Sequence, residues 1–191
     1  MKTTIFIVLA TLCLKFNTIA QAPVQAKHLS PQINTPLKIG NTLPETFWQQ
    51  TFDVYENGKF SQQTMAGYKD KLLILEFWAT WCSSCTGKYK YLNSLQPKYD
   101  GQFKVVLVNS LGTRDTKEKI AKNAERLGKE YLSIVLDTTL YKQFSHTTVP
   151  HFIWIHKGRW LAATGGDFVQ KVNIDAILGK RKASKATVQT N

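Results

Sequence analysis

From Lys71 to Trp78 the chain reads Lys-Leu-Leu-Ile-Leu-Glu-Phe-Trp, a nearly unbroken apolar run. A strand with one wet face alternates polar and apolar residues; this run does not, so both of its faces must be covered. Such a run is read as the central strand of an α/β sheet, with helices on both sides. Its neighbours along the chain agree. Residues 82–96 have helical character and stop at Pro97, and Phe103 to Asn109 is a second β-branched strand. A chain of 191 residues suits one compact domain with extensions, given about 150 residues per domain.

The remaining elements extend the pattern. Thr51 to Tyr55 alternates and runs into Asn57-Gly58, two residues that accept positive φ, so a hairpin is expected across about 51–65. Asp115 to Leu127 is rich in Lys, Glu and Ala, with Gly128 as its stop. A short strand follows at 132–136 and a short helix at 138–144. Phe152–Ile155 and Trp160–Ala163 form a hairpin across His156–Arg159. Residues 167–178 are expected as a last amphipathic helix, with Phe168, Val172, Ile174, Ile177 and Leu178 on its apolar side. The expected fold is a single α/β domain whose sheet mixes parallel strands with a terminal hairpin.

The first twenty residues read as an address. Met1-Lys2 give a positive start, Ile5 to Leu14 an uncharged apolar run, and Thr18-Ile19-Ala20 a small-residue cleavage site before Gln21. About ten apolar residues are too few to span about 30 Å of hydrocarbon, which takes about 20, so a secretory signal is expected over 1–20. The alternative is an uncleaved membrane anchor. Lipidation at Cys13 is disfavoured by the large Leu12 before it. The expected location is therefore outside the cytoplasm, in the periplasm, where disulfides persist. Residues 21–36 are read as an irregular lead-in, 37–179 as the domain, and 180–191 as a basic flexible tail.

Loss of residues 1–20 removes Cys13 and leaves two cysteines, in Trp81-Cys82-Ser83-Ser84-Cys85. They lie directly after the buried strand and at a helix start, whose unpaired N–H groups and positive dipole end favour an anion. A thiolate is stabilised there, and the thiolate is the nucleophile. Two intervening residues let one helical turn bring the sulfurs together. Cys82, at the tip, is expected to attack a substrate disulfide, and Cys85 to resolve the mixed disulfide. A purely structural bridge is disfavoured, because such bridges gain most by closing long loops. No metal is expected: two thiolates lack a second pair, and His146, His151 and His156 are not spaced as ligands.

Glu76 is an acid inside the apolar run. If buried, it has its ionisation disfavoured by desolvation, and it sits where it can exchange a proton with Cys85. The competing reading has it facing water at a sheet edge. Pro150, in Thr148-Val149-Pro150, must sit where no ladder N–H is needed.

Leu73 to Cys85 resembles the active-site segment of thioredoxin-like proteins, and its Phe-Trp-Ala-Thr-Trp-Cys wording is closest to the exported TlpA/ResA-like disulfide reductases. Lys38 to Pro44 resembles the opening of that group. Thr148-Val149-Pro150, followed by Phe152–Ile155 and Lys157-Gly158, resembles its proline loop and hairpin. The likeness covers roughly residues 37–180. It implies a thioredoxin fold with a central mixed sheet flanked by helices and an N-terminal β-hairpin extension. It also implies a cis Pro150 beside the thiol pair, a loop of Thr148, Val149 and Pro150 that meets the substrate backbone, a buried acid at Glu76, and Trp81 shielding the sulfurs. Two positions depart from the pattern. Ser84 stands where proline is more usual, which leaves reducing against oxidising direction open. Lys88 stands where some relatives carry a functional glutamate.

The resemblance implies exported protein disulfides as substrates and a membrane thiol donor for re-reduction, with no organic cofactor. The net charge of +12 raises nucleic-acid binding, which an exported chain seldom meets. The basic tail offers at most a weak contact to an anionic membrane surface. Two rivals stay open: a thiol peroxidase of the related peroxiredoxin type, and a non-catalytic binding or metal-delivery protein of the same fold. The first lacks an Arg near Cys82 in sequence. The second usually spaces its cysteines by three.

Overall fold

The computed structural model describes residues 37–128 and 131–180. The expected signal, the lead-in at 21–36 and all of the tail beyond Lys180 lie outside the described residues. Seven strands form one sheet in the order β2-β1-β5-β4-β3-β6-β7. The strands are β1 Phe52–Glu56, β2 Lys59–Gln63, β3 Leu72–Trp78, β4 Phe103–Ser110, β5 Leu132–Asp137, β6 His151–His156 and β7 Arg159–Thr164. Helices α1 Glu45–Gln49, α2 Ser83–Leu95, α3 Lys117–Leu127, α4 Leu140–Gln143 and α5 Lys171–Ile177 connect or flank them.

β3 is the centre that its composition demands: all seven residues are buried. It pairs in parallel with β4 and antiparallel with β6. β4 pairs in parallel with β5. The sheet is therefore mixed, with parallel strands in the middle and antiparallel hairpins at both ends. The N-terminal hairpin turns through Asn57 at φ 51° and Gly58 at φ 82°, the left-handed pair that its sequence anticipates. It joins the main sheet through β1, which lies antiparallel to β5.

Alternation along β3 divides the core in two. Leu72, Ile74 and Trp78 face a cluster that includes Cys85, Tyr89 and Leu92 of α2, Ile120 of α3 and Ile174 of α5. Leu73, Leu75 and Phe77 face the other, with Phe47 and Trp48 of α1, Leu140 of α4, Phe144 and Trp160. Phe144 and Trp160 meet edge to face with ring centroids 4.9 Å apart. The segment that resembles the family opening clamps onto β7: Gly40 N–H donates to Trp160 O at 2.8 Å, and Leu43 N–H to Gly158 O at 2.7 Å.

Three readings need correction. α5 begins at Lys171, after a short 3-10 turn at Gly166–Phe168, so Phe168 and Val172 are exposed rather than on the apolar side. α3 begins at Lys117, because Thr116 caps it by accepting from Lys119 N–H. That frees Asp115 to turn inward, where it is buried. α1 was not anticipated at all.

Candidate active site

α2 starts where β3 ends, after a four-residue loop at 79–82. Cys82 is the N-cap of α2, with extended backbone, and its sulfur accepts from Cys85 N–H at 3.2 Å. Cys82 and Cys85 form a disulfide with Cα atoms 5.3 Å apart. Both sulfurs therefore lie within the first turn, where helix N–H groups lack carbonyl partners. Ser84 Oγ sits 3.5 Å from Cys82 Sγ, within reach as a donor to a thiolate. Cys85 is fully buried and Cys82 is 6% exposed. Trp81, just before them, is 67% exposed, and its indole N–H donates to Thr113 O at 3.2 Å.

Glu76 does not face water. It lies on the central strand, 0% exposed, with no hydrogen-bond partner for either oxygen among the described residues. Burial holds its carboxyl well above the usual range, and the positive charge of Lys88 opposes that rise. By alternation it points to the same face as Ile74 and Trp78, the face that carries Cys85.

The proline loop reaches the same end of the sheet. Phe77, near the end of β3, pairs with His151, the first residue of antiparallel β6. Pro150 immediately precedes His151, and the Val149–Pro150 peptide is cis. Val149 packs against the cluster that contains both cysteines, and Thr148 is exposed. Thr148, Val149 and Pro150 are thus brought to the dithiol end of the sheet. The three histidines are not gathered with them into a ligand set: among the described residues no group of three His, Cys, Asp or Glu side chains is placed to hold a metal ion.

A polar cage, not anticipated from sequence, fixes the loop that leads into Cys82. Asp115 accepts from Thr80 N–H at 2.9 Å, from Thr80 Oγ1 at 2.5 Å and from Asn109 Nδ2 at 2.7 Å. Asn123 Nδ2 donates to Thr80 O at 2.9 Å, and Asn109 Nδ2 also reaches Trp78 O at 3.4 Å. Three segments far apart in the chain thereby satisfy the backbone where it leaves the sheet. The inward Asp115 would be read from sequence as a helix-start residue, and nothing local points it at Thr80.

The chain is similar to known proteins. Residues 70–159 match the family model described as thioredoxin-like. The chain is 31% identical over 103 residues to the thiol-disulfide oxidoreductase ResA of Geobacillus kaustophilus, covering 54% of this chain and 53% of ResA. It is 31% identical over 99 residues to the thiol:disulfide interchange protein DsbE of Vibrio cholerae, covering 52% of this chain and 48% of DsbE. The chain thus spans about half the length of the curated relatives it matches. The fold is similar to the crystal structure of the thioredoxin domain of a thiol-disulfide oxidoreductase from Bacteroides vulgatus. There the TM-score is 0.58 at 19% identity, covering 74% of this chain and 99% of that one. Residues 70–159 thus carry the match to the thioredoxin-like family model, and the mixed sheet with its flanking helices is the thioredoxin-like α/β fold.

Proposed function

We propose that this protein is an exported thiol–disulfide oxidoreductase that works as a protein disulfide reductase. The observation that carries the reading is the Cys82–Cys85 pair, bonded within the first turn of α2 with Cys82 at the cap. ResA and DsbE, by their names, interchange thiols and disulfides, which supports the same chemistry here.

In the reduced protein, Cys82 thiolate attacks one sulfur of a client disulfide. A Cys82–client bond forms, and the client's other sulfur leaves as a thiolate that takes a proton from water. Glu76, as carboxylate, then accepts the proton of the Cys85 thiol. Cys85 thiolate attacks the Cys82 sulfur, the Cys82–client bond breaks, and the Cys82–Cys85 disulfide forms. Two electrons have passed from the dithiol to the client, which ends with two thiols. Glu76 returns its proton as the client departs. Trp81, Thr148, Val149 and Pro150 border the approach of the client chain. A membrane thiol donor re-reduces the disulfide, and the clients are exported protein disulfides. The domain that does this work extends over 37–179.

The test is insulin reduction driven by dithiothreitol. Wild type accelerates it, and Cys82→Ser abolishes the acceleration. A Cys82→Ser variant with full activity would refute the mechanism. Direction is read from the potential of the couple in glutathione buffers. A value near ~−270 mV supports a reductase and one near ~−120 mV an oxidant. Export is checked by the N-terminus of the protein recovered from cells: a start at Gln21 supports removal of 1–20, and an intact Met1 opposes it.

A further inference from the structure

The loop that ends in Pro150 has a fastening that the dithiol chemistry does not use. His146 and His151 bracket Thr147, Thr148, Val149 and Pro150. Their rings are stacked, with centroids 5.1 Å apart and planes 7° from parallel. The base of the loop is thus closed by two imidazoles. Each is held in place from a different side. His151 opposes Phe77 in the β3–β6 ladder, which fixes its position. His146 Nδ1–H donates to Phe144 O at 3.0 Å, and Tyr141 meets the ring edge on at 5.1 Å. Phe77 underlies both, with its centroid 4.1 Å from His146 and 6.3 Å from His151. Within the loop, Thr147 and Thr148 are exposed, and Val149 packs against both core clusters.

Imidazole chemistry makes this contact conditional. Neutral rings stack favourably, whereas two imidazolium ions at this distance repel. The surroundings do little to offset that repulsion. Asp137, at the end of β5, is an acid whose charge reaches His146. Its carboxylate already accepts from the N–H groups of Thr139, Leu140 and Tyr141 and from Thr139 Oγ1. Phe77 brings no charge from β3. Lys142 of α4 is exposed and positive, and Glu45 of α1 is exposed and paired with Lys69. His151 Nε2 is buried with no hydrogen-bond partner among the described residues, so a proton there has no acceptor. Burial holds both imidazoles below the usual histidine range. For His146 the bond to Phe144 and the charge of Asp137 oppose that fall; for His151 the charge of His146 adds to it.

We propose that His146 and His151 are positioning residues, a clasp that holds the loop at 147–150 in its client-binding shape while both rings are neutral and releases it when both are protonated. The clasp touches neither sulfur and acts through Thr148, Val149 and Pro150. The inference rests on the oxidoreductase reading for the use of that loop. It adds a control of client capture by pH that is separate from the ionisation of Cys82.

The test has two arms, both on the full chain. In the first, proton NMR follows the protein from about pH 8 to about pH 5, where histidines titrate. The Thr147 and Thr148 amide resonances should move with the same midpoints as the His146 and His151 ring resonances. In the second, the reduced protein reacts with glutathione disulfide, which offers a peptide backbone, and with 5,5′-dithiobis(2-nitrobenzoate), which offers none. Both reactions begin with attack by the Cys82 thiolate, so the ratio of their rates cancels its ionisation. That ratio should fall about fivefold over the same range as the clasp opens. His151→Phe keeps a ring against His146 but takes no proton, and a protonated His146 then lies against a neutral aromatic ring. Its ratio should equal the wild-type value at the alkaline end and stay level on acidification. Threonine amides that stay still while the histidines titrate, or an equal fall of the ratio in His151→Phe, would overturn the clasp. A protein that reduces neither disulfide, while its amides move with the histidines, would overturn the oxidoreductase reading and leave the clasp standing as a property of the loop.

Discussion

Replacing Glu76 with Leu should make this protein more stable and less active at once. The side chain is completely buried, and both oxygens lack hydrogen-bond partners among the described residues. A buried polar group without a bond costs about 1–3 kcal/mol by mutational measures. Leu is close to Glu in size and needs no partner, so little cavity or strain opposes the gain. We expect about 2 kcal/mol of added stability where Glu76 is protonated in both folded and unfolded chains.

A second contribution depends on pH. Burial raises the folded carboxyl well above 4.5, against the opposing pull of Lys88. Below about 4.5 the proton is bound in both states, and ionisation adds no penalty. Between 4.5 and the higher folded value, the native state keeps a proton that the unfolded chain has lost. Folding then takes up a proton, and wild-type stability falls as pH climbs through that window. The Leu variant lacks this term. Urea unfolding across the acid-to-neutral range measures the difference. The Leu variant should lead by about 2 kcal/mol at the acid end and by more at neutral pH. Parallel curves for the two proteins, or a more stable wild type, would refute the burial argument.

Other substitutions probe the remaining parts of the site. Cys85→Ser should trap a covalent Cys82–client disulfide, visible by mass; no trapped adduct would remove Cys85 from the resolving role. Ser84→Ala takes a donor from beside Cys82 Sγ, at 3.5 Å. Losing about 1 kcal/mol of thiolate stabilisation favours the disulfide and should lower the reduction potential by about 20 mV; an unchanged potential would count against that contact. Asp115→Ala strips the acceptor from Thr80 and Asn109 and should cost about 3 kcal/mol in urea unfolding, with a loss below about 1 kcal/mol refuting the cage. Phe47→Ala should cost about 3–5 kcal/mol, because the ring is fully buried between Trp48 and Phe144; a neutral result would show that α1 is dispensable.

The parts of this fold that were legible in the sequence are those with a local signature. β3 announces itself because seven consecutive buried residues leave no polar face to alternate. The first hairpin does so because Asn57 and Gly58 both adopt positive φ. The thiol pair needs only a strand end, a helix start and a spacing of two. α1 was missed because five residues hold no helical period, although its Phe47 and Trp48 are fully buried. α5 was drawn too long because the buried Val169 belongs to the turn before it, while Phe168 and Val172 lie on its wet side. The cage around Thr80 was invisible for another reason: its bonds cross 35 residues to Asp115 and 43 to Asn123, and no periodicity carries information over that distance.

The cage and Glu76 lie on nearly the same stretch of chain, and they are treated in opposite ways. From Trp78 to Thr80, three backbone groups that leave the sheet find side-chain partners in Asn109, Asp115 and Asn123. A loop held so is anchored where it leaves the sheet, which fixes the start of α2 and with it Cys82. Two residues before Trp78, the same strand buries a carboxyl with nothing on either oxygen. A fold that needed only a filled interior there would carry an apolar residue, as the rest of β3 does. The rule that buried polar groups are paired is broken at a position of β3 that shares its face with Ile74 and Trp78, the face that carries Cys85. The proposed proton transfer gives this unsatisfied acid a use that packing does not, and the Leu variant separates the two by trading activity for stability.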